Sequence, residues 1–173
     1  RTINQLVGKT QKLMSVLQDI VTAHRRPGKV MSAQLASGAG EERDLLFVMG
    51  ACVLYFIAGV PVRAREAHLE SSDLGSLIGG SILAWLFVAP LLFYVIAMLL
   101  KLVFQVLGCK ASWFEIRLAF FWSLLAATPL VLLNGLTAGM VGPGIQQNIV
   151  GGLWLAAFLW ICFGSFRNVC KKA

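Results

Sequence analysis

Charge is what this sequence has least of. Only 13% of its 173 residues are Asp, Glu, Lys or Arg, whereas 58% are apolar, and the mean hydropathy is +0.77. Soluble domains carry about 25% charged residues. The chain therefore lacks the polar surface that a soluble globule, a disordered segment or a soluble nucleic-acid binder needs, and nucleic acid is not expected as a partner. Histidine is nearly absent too, with only His24 and His68. They offer no bis-histidine haem or zinc ligand set within one chain, and neither cofactor nor metal is expected. Cys52, Cys109, Cys162 and Cys170 form no Cys-x-x-Cys pair and are expected to be free structural thiols. No Gly-x-Ser-x-Gly, P-loop or His-Glu-x-x-His occurs, so no catalytic residue is assigned.

Four long apolar stretches are present instead. Leu45 to Val62 is charge-free, and its 18 residues would rise about 27 Å as a helix, nearly one hydrocarbon core. Leu74 to Leu107 carries one charge, Lys101, and its 34 residues would rise about 51 Å, either as one helix kinked at Pro90 or as two shorter ones. Leu118 to Leu133 and Ile149 to Phe166 are again charge-free. The basic residues choose between the two arrangements. Four spans put 13 of the 15 Lys and Arg on one side and leave only Arg63 and Arg65 on the other. Splitting the second stretch gives a near-even division, with 8 outside and 7 inside. Basic residues collect on the cytoplasmic side, so the expectation is an all-α polytopic membrane protein with four transmembrane helices and both termini cytoplasmic. Its spans are about 45–62, 74–107, 118–133 and 149–166.

Residues 1–44 are expected to form a cytoplasmic N-terminal region ahead of the membrane domain at 45–173. Leu13, Leu17, Ile20 and Val21 recur at helical spacing, the stripe of an amphipathic helix that Pro27-Gly28 ends. That helix is expected either to pack on the protein's own cytoplasmic face or to lie on anionic lipid. In the second case Arg25, Arg26 and Lys29 contribute about 1 kcal/mol each. The sequence opens at Arg1, Met14 is the first candidate start, and Arg1 to Leu35 has no signal-peptide pattern.

The spans contain no Asp, Glu, His or Arg. An ionisable group in a bilayer is costly and usually marks a pathway, so an ion-coupled carrier, a proton pump or an intramembrane protease is not expected. The polar residues Ser81, Ser123, Thr128 and Asn134 are expected to bond to carbonyls one turn back. The cluster of charges from Arg63 to Asp73 is expected as a solvated outer loop, and Gly135 to Asn148 as a second one. In lipid, helices associate through close approach of small residues. Gly75, Gly79, Gly80 and Ala84 in the second span, Ser123 and Ala127 in the third, and Gly152 and Ala156 in the fourth are the candidate packing seams, chiefly within the chain and otherwise between subunits.

Several segments resemble bacterial members of the Yip1 family of integral membrane proteins. They are Arg26-Pro-Gly-Lys-Val-Met31, Ala84-Trp-Leu-Phe-Val-Ala-Pro-Leu-Leu-Phe-Tyr94, Arg117-Leu-Ala-Phe-Phe-Trp122 with Thr128-Pro129, and Gly142-Pro-Gly144. Eukaryotic members are multi-spanning proteins of the early secretory pathway that associate with Rab GTPases and with one another. Their Asp-Leu-Tyr-Gly-Pro-type motif is not present in this sequence. For a bacterial member the resemblance implies an integral inner-membrane protein. The expected function is non-catalytic: an accessory or scaffolding subunit contacting a membrane-protein complex or lipid. The alternative is a channel or carrier for a neutral or apolar solute or a lipid.

Overall fold

The computed structural model describes residues 16–37 and 40–172. Every element among them is helical: α1 (16–25), α2 (Pro27–Ala36), α3 (Glu41–Glu70), α4 (Leu74–Leu83), a π-helical turn (Ala84–Val88), α5 (Ala89–Val106), α6 (Trp113–Ala126), α7 (Thr128–Met140) and α8 (Ile145–Lys172). Three continuous stretches, α3, α4 through α5, and α8, are long and apolar enough to cross a bilayer. The α6–α7 pair adds a fourth if counted as one span bent by 41°.

Its bend is written in the residues around Ala127. Pro129 has no N–H to offer the carbonyl of Leu125, four residues back, and bilayer hydrocarbon supplies no replacement donor. The Thr128 hydroxyl does: it donates to that same carbonyl at 2.7 Å. Ser123 and Ser81 likewise donate to Ala119 (2.7 Å) and Leu77 (2.8 Å), one turn back as the sequence leads one to expect.

α6 is apolar on every side, the pattern of a helix enclosed by others. Ile116 and the whole run from Leu118 to Ala127 are buried among α3, α5 and α8. Aromatic rings tie it to its neighbours: Phe47 of α3 meets Trp122, and Phe93 and Tyr94 of α5 meet Phe120 and Phe121, at centroid separations of 4.9–6.2 Å.

Three expectations are corrected. The charged segment after Val62 is not a loop, because α3 continues to Glu70 and turns at Ser71, which adopts φ 52°. The Gly135 segment is helical as far as Met140, and the turn is confined to the residues around Gly142, at φ 89°. The second stretch runs as one continuous helix through Pro90, as the single-span arrangement expects; the π turn just before it widens the helix where the proline ring would crowd the preceding carbonyl. Cys109 and Cys170 are not free thiols but a disulfide, with Cα atoms 5.3 Å apart; Cys52 and Cys162 are free and buried.

The small-residue seams also lie elsewhere than the spacing suggests. Ser123 and Ala127 are fully buried, but Gly79, Gly80 and Gly152 have no atom near an added Cβ, Gly75 meets only Asp73, and Ala84 and Ala156 are exposed. Within the chain, close approach falls on α7. A Cβ on Gly135 would strike the Ala58 backbone, and one on Gly139 would strike Pro61. The spacing rule finds small residues but not the face they present. Gly135→Ala and Gly139→Ala are each expected to destabilise the fold by roughly 1–3 kcal/mol through overpacking. Gly79→Ala should be neutral or stabilising by up to about 1 kcal/mol, and thermal unfolding in detergent separates the two outcomes.

Candidate functional site at the basic end

The helices bring most of the basic residues to one end of the bundle. There α3 and α6 begin, α5 and α8 end, and α2 lies against α8. Its seat is a glycine: Gly164 of α8 leaves no room for a side chain beneath Pro27, while Gly28 faces Asn168. Val30, Met31 and Gln34 turn inward. Proline at the first position starts α2 without wasting an N–H, so the Pro27-Gly28 pair ends α1 and begins the next helix in one step.

α1 departs from the expected stripe. Ile20 and Ala23 are buried, but Leu17 and Val21 are 62% and 69% exposed, and Leu13 lies outside the described residues. Arg25, Arg26 and Lys29 are exposed beside them. Gln34 of α2 donates to Asp19 of α1 at 3.1 Å, which ties the platform together, and Arg43 of α3 donates to Gln34 at 2.8 Å, which ties it to the bundle. Burial pushes the Asp19 carboxyl above its usual range, against the opposing pull of Arg43 and Gln34.

Residue-type reasoning missed the charged centre of this end. Arg117 donates to Asp44 at 2.6 Å and to Glu41 at 3.3 Å, and stands 5.7 Å over the Tyr94 ring. Asp44 is fully buried, so this pair pins the start of α3 to α6. Lys101, also buried, donates to the carbonyl of Ala111 and stands 5.9 Å from the Trp113 ring. α6 itself starts with a capping box, Ser112 and Glu115 each bonding the other's backbone N–H at 2.7 and 3.2 Å. The Ser-x-x-Glu spacing before an apolar run was a readable signal for that start, whereas nothing local pairs Asp44 with a residue 73 positions away. The Cys109–Cys170 bond then joins the α5–α6 connection to the end of α8.

Among the described residues no three His, Cys, Asp or Glu side chains converge as metal ligands. The arginine and lysine that reach the bundle's interior are consumed by structural bonds. Among the described residues of this end, exposed basic side chains are those of Arg25, Arg26 and Lys29 and also Lys110, Arg167 and Lys171.

Arg117→Leu would leave Asp44 buried without its counter-charge and is expected to cost about 3–5 kcal/mol. Replacing both partners, Asp44→Leu with Arg117→Leu, should recover much of that loss in a thermal-unfolding cycle. Compared with protein-family models, with curated proteins and with solved structures, the chain finds no match.

Proposed function

We propose that this chain is a non-catalytic accessory or scaffolding protein of the bacterial inner membrane, with four spans and both termini in the cytoplasm. It acts through contacts of its basic end with anionic lipid and with a membrane-protein partner. The resemblance of its segments to the Yip1 family belongs to the same reading. The observation that carries the proposal is the α1–α2 platform. It is fixed to the bundle by Pro27 on Gly164 and by the Arg43–Gln34 bond, yet it turns Leu17, Val21, Arg25, Arg26 and Lys29 outward. Apolar and basic groups side by side on a helix at the membrane boundary suit the interface of an anionic bilayer.

Orientation follows from charge and has a consequence for the cysteines. With the basic end cytoplasmic, Cys109 and Cys170 face a compartment that keeps thiols reduced. The pair is then open in growing cells and closes on oxidation. Alkylation of intact cells should trap both thiols, while protein purified in air should keep them joined. A bond already closed in growing cells would place the basic end outside and overturn the orientation.

Reversing the charges of Arg25, Arg26 and Lys29 to Glu tests the platform. Each basic residue near an anionic surface contributes about 1 kcal/mol. The triple variant should therefore lose most of the thermal stabilisation that anionic lipid gives the wild type in nanodiscs, together with crosslinks to any copurifying partner. A wild-type protein that is indifferent to anionic lipid and copurifies with nothing would overturn the reading.

A further inference from the structure

At the end of the bundle away from the platform, α3 and the α4–π segment part to leave a cavity of about 190 Å³. Its walls come from Tyr55, Phe56, Gly59 and Arg63 on one side and Ser81 and Trp85 on the other. Gly59 makes the notch: an added Cβ there would meet no atom within 4 Å. The Tyr55 and Trp85 rings, 5.3 Å apart, close the deep end. The π turn supplies Trp85, and such turns are often found where a helix serves a site.

The lining is graded along the helix axis. Arg63 stands just past the charge-free run Leu45 to Val62, at headgroup level if that run crosses the hydrocarbon. One of its N–H groups goes to Glu66 at 2.6 Å. A guanidinium has five such donors. Gly59 lies about 6 Å deeper, and the aromatic end about 12 Å deeper than Arg63. From charged mouth to aromatic floor, polarity falls in the same order as along a phospholipid. Apolar cavities of about 150 Å³ take up a benzene ring, so this one has room for a short stretch of acyl chain.

We infer that this cavity is a phospholipid site. The phosphate is held by the free donors of Arg63, and the first part of one acyl chain lies in the Gly59 notch against Phe56 and Trp85. The site stands apart from the platform at the basic end and does not depend on it. A lipid held there is a bound component, retained when the surrounding annulus exchanges.

Native mass spectrometry after gentle detergent extraction tests this with three variants. Gly59→Leu fills the notch, Arg63→Gln removes the phosphate donor, and Gly152→Leu adds the same side chain to an α8 glycine that also faces open space. The wild type and Gly152→Leu are expected to retain one phospholipid. Gly59→Leu and Arg63→Gln should each retain it roughly tenfold less, the scale of one lost charge-assisted hydrogen bond or a blocked chain pocket. Thermal unfolding monitors the fold of each variant. Equal retention in Gly59→Leu and wild type would overturn the chain placement, and equal retention in Arg63→Gln would overturn the phosphate contact. Displacement of the lipid by millimolar inorganic phosphate would show a free-anion site instead and overturn the lipid assignment.

Discussion

The bundle depends on the enclosure of α6. Hydrocarbon gives apolar helices no reason to leave it for one another, so a helix sheathed on all sides must be held by fit and by polar ties at its ends. Both are present. Aromatic side chains from α3 and α5 fill the surface of α6 over its middle. At its start Arg117 fastens it to α3 through Asp44, and at its finish the Thr128 hydroxyl closes the carbonyl that Pro129 strands. The bend that follows sends α7 along α3, where Gly135 and Gly139 allow near backbone contact. The order of causes runs from one proline, through one hydroxyl, to the close approach of α7 to α3.

The polar ties divide the two ends of the bundle into different kinds of surface. The basic end is cross-linked by an ion pair, a lysine-to-carbonyl bond, a disulfide and a helix seated on a glycine. The opposite end has fewer such links. Arg63 pairs with its own helix through Glu66, and Arg65 reaches the Met140 carbonyl at 3.5 Å.

Much of this was legible in the sequence, for reasons that differ by residue. The apolar runs gave the helices because length and the lack of charge are local properties. Ser81, Ser123 and Thr128 bond to carbonyls on their own helices, so their behaviour follows from position alone. Within the chain only part of the expected seams is in contact, because spacing locates small residues on a helix face without saying what lies opposite. Gly79 and Gly152 satisfy the pattern and face open space, while Gly135 and Gly139, in a segment expected to be a loop, carry the closest approach. Asp44 with Arg117, and Cys109 with Cys170, are 73 and 61 residues apart, and only the topology brings them together.

The π turn at Ala84–Val88 has a consequence for the phase of the span that contains it. An α-helix turns about 100° per residue, and a π turn takes in one residue more than an α turn. The side chains beyond it are therefore out of step with those before it. The first half of the span addresses α3 with Ile78, Ser81 and Trp85, and the second addresses α6 with Phe93, Tyr94 and Lys101. A helical wheel drawn without interruption from Leu74 to Val106 sets the two groups roughly 150° apart, and the residue taken in by the π turn brings them back to within about 50° of each other. The π turn thus lets one span keep a single inward side, which meets α3 along its first half and α6 along its second.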